Sequence, residues 1–135
     1  MPQRTRLYFD GGCRPTGLST AVVLRGVIHL AAHPGPGASM DAEWLALLAA
    51  VRLAQAEGIA DPVFLGDSRA VIAQATGMAK ARGGVVAYYH DFHALTQGHP
   101  LRIRYIKRSQ NLAGIALDRH HDGMARPPRP DVLSS

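Results

Sequence analysis

Three acids in this 135-residue chain occupy distinctive positions. Asp10 follows the apolar run Leu7-Tyr8-Phe9 and precedes Gly11 and Gly12. Asp67 follows the apolar PVFLG of residues 62–66 and, with Ser68, opens the stretch SRAVIAQATG. Glu43 lies near the start of DAEWLALLAAVRLAQAE, residues 41–57. If the strands ending in Asp10 and Asp67 are neighbours, both acids reach one edge of a sheet, and the start of the helix can lay Glu43 over them. Carboxylates held that close repel one another and bind protons more tightly, and a divalent cation relieves the repulsion. Mg²⁺ takes a few carboxylate oxygens together with water and phosphate oxygens. Two such ions ~4 Å apart can activate a water and stabilise a leaving oxygen in phosphodiester cleavage. Taken singly, Glu43 could serve a helix dipole and Asp67 a helix N-cap. The chemistry lies in the combination.

The elements that must position these acids follow from pattern and punctuation. Residues 5–10 read as a mostly buried strand, with a turn at Gly11 and Gly12. Residues 19–25 and 27–32 pair as a hairpin through Gly26. A Gly/Pro loop covers 33–39, and Ser39 is placed as the N-cap of the helix over 41–57, closed by Gly58. A strand at 62–66, a helix from Ser68 and a basic connection at 79–84 come next. A helix over 85–97, a strand at 101–106 and a helix from 112 capped by Asn111 complete the series. The order β-β-β-α-β-α-α-β-α predicts an α/β domain: a mixed five-stranded sheet, three antiparallel strands then parallel ones, flanked by helices. The domain is expected over residues 1–122, and the Pro/Arg-rich 123–135 as a disordered tail.

Bulk properties narrow the class. The net charge is +5, and Lys80, Arg82, Arg102, Arg104, Lys107 and Arg108 cluster, which favours a polyanionic partner. No apolar run is long enough for a membrane span and the N-terminus has no secretion signal. The lone Cys13 fits a reducing cytoplasm, and it lacks the base partner that a nucleophile needs. Trp44 is expected in the core rather than as a base-stacking platform. His90 and His93 have i,i+3 spacing but no further ligand for Zn²⁺, and His120 and His121 read as an exposed helix end. No obligatory protein partner is indicated.

FDGGCRPTG, DAEWLAL and GDSRAVIAQATG resemble, in order, the three leading motifs of type-1 ribonuclease H, and the element order over residues 5–118 is similar to that fold. The resemblance implies a metal-dependent endonuclease that cuts the RNA strand of RNA/DNA hybrids with two Mg²⁺ or Mn²⁺ ions and leaves 5′-phosphate and 3′-hydroxyl ends. Asp10, Glu43 and Asp67 fall on its metal-binding carboxylates. The backbone around Gly11, Gly12 and Cys13 falls where the family approaches the RNA strand, and Ser39, Ser68, Lys107, Arg108 and Asn111 are expected as further nucleic-acid contacts.

The chain also departs from that pattern. The family's fourth acid, near the start of the last helix, aligns with Ile115, and Asp118 lies three residues on, almost one turn (a full turn is ~5.4 Å) along the same face. Asp118 is therefore the candidate fourth metal ligand and catalytic acid. The family's loop His is absent from IKRSQN, leaving Lys107 or Arg108 to stand in. Ala38-Ser39-Met40 replaces a polar stretch that commonly touches nucleic acid. These departures keep two alternatives open: a non-catalytic nucleic-acid-binding module of the same fold, and a related nuclease acting on structured DNA.

Overall fold

A computed structural model describes residues 4–125, and a five-stranded sheet runs through it in the order β3-β2-β1-β4-β5. The strands are β1 (Thr5–Arg14), β2 (Gly17–Leu24), β3 (Val27–Pro34), β4 (Pro62–Gly66) and β5 (Arg102–Tyr105). The helices are α1 (Ser39–Ala56), α2 (Arg69–Ala75), α3 (Val86–Thr96) and α4 (Leu112–Ala125). β1–β2 and β2–β3 pair antiparallel, whereas β1–β4 and β4–β5 pair parallel. The mixed α/β sheet expected from the sequence is the one observed. The β2–β3 hairpin turns through Arg25 and Gly26, both at positive φ (51° and 78°), as a two-residue turn requires.

β1 corrects the sequence reading. It does not stop at Asp10 but continues through both glycines to Arg14, paired with β2 from Asp10↔Ala21 to Arg14↔Gly17. Cross-strand pairing overrides the poor strand preference of glycine. Gly11 is needed because α1 passes directly over it. A Cβ there would come within 2.6 Å of the Glu43 nitrogen and would collide with the Ala42 carbonyl group. The glycines thus mark a close approach of helix to strand, not a turn.

Alternation along the strands divides the core between the two faces of the sheet. Leu7, Phe9, Val22 and Leu24 pack against Trp44, Leu47, Leu48 and Val51 of α1. Ala21 and Val23 pack against Ala113 and Leu117 of α4. Trp44 is fully buried, donates its indole N–H to Gln74 Oε1 at 2.8 Å and meets Phe92 edge-on, so it is a core residue. Ser39 is the first residue of α1 and not its cap, because the capping position is Ala38, whose N–H donates to the Asp41 carboxylate at 2.7 Å. Ser68 does cap α2, accepting from the Val71 N–H. α4 runs to Ala125, three residues past the expected domain end, and the rest of the proposed tail lies outside the described residues.

Candidate active site

β1 and β4 remain paired only as far as Tyr8↔Leu65, so both chains run free of each other just before their acids. Asp10 sits two residues beyond that pair and Asp67 immediately follows β4. α1, pressed onto Gly11, delivers Glu43 to the same place. One oxygen from each of Asp10, Glu43 and Asp67 lies within 4.8 Å of the others. Asp10 and Glu43 are buried, at 7% and 8% exposure, and Asp67 is half-buried.

The surroundings hold these carboxylates in place. The Gly11 N–H donates to Glu43 Oε1 at 2.6 Å, while Glu43 Oε2 is buried with no partner among the described residues. Asn111 donates from Nδ2 to the Phe9 carbonyl at 3.0 Å and to Asp67 Oδ2 at 3.1 Å. Its Oδ1 accepts from the Ala113 N–H at 3.1 Å, which caps α4. One side chain therefore ties β1, the end of β4 and α4 together. Gly114 keeps α4 close to Asp10, since a Cβ there would stand 3.3 Å from Asp10 Oδ2.

Electrostatics follow from this crowding. Burial pushes the Asp10 carboxyl up to about 6; the neighbouring Glu43 carboxyl group opposes the rise, the Asp67 charge adds to it, and the Arg108 charge opposes it. Glu43 is pushed up to about 9 by burial and then by the adjacent Asp10 carboxyl group. Both groups therefore bind a proton more tightly in the metal-free site than an ordinary carboxylate does. Three acids with that proton burden and an unpartnered buried oxygen form an all-oxygen donor set suited to a hard divalent cation.

A cavity of about 430 Å³ opens over the acids. Of the residues expected at a nucleic-acid contact, Gly11, Gly12, Cys13, Ser39, Ser68 and Arg108 line it. Lys107 is exposed but does not line it. Asn111, expected at the same contact, is fully buried with both side-chain polar atoms committed, so it braces the acids instead. Asp118 is exposed on the cavity wall and lies outside the group formed by the other three acids. Ile115, at the aligned acid position, is 36% exposed. His90 and His93 instead pack beside the Tyr89 ring and belong to no metal-competent group among the described residues.

Sequence reasoning missed His121. It is 8% exposed, lines the cavity and covers Gly12, where an added Cβ would meet its Cε1 at 2.9 Å. Its Nε2 is buried with no partner among the described residues, and burial followed by the Arg14 charge pushes its pKa down. The signal was present: Ala113, Leu117 and His121 recur every four residues, the spacing of one buried helix face.

The profile of the reverse transcriptase-like family matches residues 14–121. The chain belongs to that family. A comparison with curated proteins finds no match. Among solved structures, ribonuclease H1 from the halophilic archaeon Halobacterium salinarum is 24% identical, with a TM-score of 0.73 over 90% of this chain and 99% of that one. The N-terminal ribonuclease H domain of a Mycobacterium tuberculosis protein is 23% identical, with a TM-score of 0.68 over 92% and 100%. LC11-RNase H1, solved in complex with an RNA/DNA hybrid, is 17% identical, with a TM-score of 0.72 over 91% and 100%. These likenesses establish that this reverse transcriptase-like chain has the ribonuclease H fold. No helix among its described residues is long and apolar enough to cross a membrane.

Proposed function

We propose that this protein is a metal-dependent endonuclease that hydrolyses the RNA strand of RNA/DNA hybrids in a reducing cytoplasm, leaving 5′-phosphate ends. The observation that carries the reading is the three-acid cluster, within 4.8 Å and with a buried unpartnered oxygen, at the floor of an open polar cavity. Asp10, Glu43 and Asp67 would hold one Mg²⁺ or Mn²⁺, and Asp10 with Asp118 a second, supplying a nucleophilic water and stabilisation of the departing oxygen. The protein's own groups set the stage. The Gly11 N–H fixes the Glu43 carboxylate, and Asn111 fixes Asp67. Arg108 brings positive charge to the cavity, where a phosphate would lie. The main chain at Gly12 and Cys13 lines the same cavity and supports reading of an RNA 2′-hydroxyl by backbone groups.

A second reading, a non-catalytic hybrid-binding module, is favoured by Ile115 at the aligned acid position. Incubating a labelled hybrid with Mg²⁺ or Mn²⁺, beside Asp10→Asn, decides between the two. Wild-type cleavage that Asp10→Asn lowers by at least ~10²-fold supports the enzyme, in line with removal of a group acting in the transition state. A wild type that binds the hybrid but never cuts it would sink the nuclease reading. Cutting of structured DNA with hybrids spared would assign the chain to a different nuclease activity.

A further inference from the structure

Arg69 follows the cap residue Ser68 in the first turn of α2, and Tyr105 ends β5. Register places Tyr105 beside Gly66, the residue before Asp67. The Arg69 guanidinium lies over the Tyr105 ring, with Cζ 3.8 Å from the ring centroid. Both side chains are exposed, Tyr105 at 40%. The pair therefore stands at the active-site edge of the sheet, on the β5 side of the carboxylates.

A surface Arg is ordinarily explained by a neighbouring acid. Among the described residues the ion pairs are those of Arg4 and Arg102 with Asp61, at the opposite ends of β4 and β5. Arg69 has no carboxylate within ion-pairing distance there. Stacking uses the face of a guanidinium and leaves the N–H groups on its rim free, in a plane that suits two phosphate oxygens. The ring also restricts a side chain that would otherwise lose considerable rotamer freedom on binding. The chain next to Tyr105 continues into exposed Lys107 and Arg108, and Arg108 lines the cavity. Beyond the acids the local charge is thus positive, and among the described residues Arg69, Lys107 and Arg108 form no ion pair.

We propose that Arg69, held by Tyr105, is a phosphate-binding subsite that grips the nucleic-acid backbone where it leaves the carboxylate cavity on the β5 side. The subsite rests on the nucleic-acid-binding part of the proposed function and not on catalysis.

The test is binding of a fluorescent RNA/DNA hybrid by the full chain in chelator, where no metal-dependent cleavage occurs, across a salt series. Arg69→Ala should weaken binding about tenfold at low salt and reduce the slope of log K against log[salt] by ~0.9, the loss of one phosphate contact. Arg69→Lys should keep the slope and lose part of the affinity. Tyr105→Leu should do the same, because the charge stays while its plane is released. Thermal melts confirm that each variant is folded, and Arg69→Lys serves if Arg69→Ala does not fold. Wild-type affinity and slope in Arg69→Ala overturn the subsite, as does a wild type with no measurable hybrid binding. Hybrid binding without cleavage removes the nuclease reading and leaves the subsite to stand or fall on its own slope.

Discussion

At the scale of single residues, the cluster makes the metal-free protein sensitive to pH in a definite direction. Asp10 and Glu43 bind protons more tightly folded than unfolded, with values raised to about 6 and about 9. Their contribution to stability is therefore fully present below pH ~4 and is lost as pH rises through those values. His121, whose value is lowered, acts the other way and penalises the folded state only below its ordinary value of 6.5. Above pH 6.5 the carboxylates alone set the slope. In chelator, stability should decline from there toward pH 9, and Asp10→Asn should raise it by about 1–3 kcal/mol at pH 8 and flatten the decline. Denaturant melts at a series of pH values measure both; a variant with the wild-type slope would show that the acids are not crowded as described. A residue-scale test also addresses the fourth acid. Asp118→Asn should lower cleavage at least ~10-fold, and adding Ile115→Asp should restore it, because position 115 is where the family pattern sets its carboxylate. No loss in Asp118→Asn would remove Asp118 from the site.

At the scale of elements, the site depends on how closely helices ride on β1. α1 needs Gly11 bare, a Cβ at Gly114 would crowd Asp10, and His121 fills the space over Gly12. Gly12→Ala should cost about 1–3 kcal/mol through overpacking, and most of that cost should vanish in a His121→Ala background. A double-mutant cycle read by thermal or denaturant melts gives the coupling, and additive losses would mean that the imidazole does not cover Gly12. These contacts also mark how much could be read from the chain alone. The order of strands and helices was legible because apolar runs, Ser68 and Asn111 as caps, and the Arg25-Gly26 turn are local signals. The three leading acids were legible because each interrupts or borders an apolar run. The extent of β1 was not, since Gly11 and Gly12 look like a turn until β2 is known to pair alongside them. Nor was the burial of Asn111, which is decided by Phe9 and Asp67, far away in sequence. His121 was passed over for its polar neighbours although its four-residue spacing from Leu117 was visible.

At the scale of the whole molecule, a chain of net charge +5 brings four carboxylates, Asp10, Glu43, Asp67 and Asp118, into one cavity that Arg14 and Arg108 also line. The surrounding field draws a polyanion in, while the acids favour a site on it where a cation can be shared. The single side chain of Asn111 has a consequence in time. Its hydrogen bond to Phe9 closes a loop of 102 residues, nearly the whole described chain. Contacts of such separation are entropically expensive and form late. A chain emerging from synthesis can build the β1–β2–β3 meander and α1 long before residue 111 exists, yet the acids lack their brace until α4 docks. In stopped-flow refolding, recovery of tight metal binding should follow the slowest structural phase rather than the early rise in secondary structure. Metal binding that returns with the first phase would show that the acids assemble without Asn111. By this ordering, the three acids gain the brace that Asn111 provides only once α4 has docked, so the site is completed by the part of the chain made last.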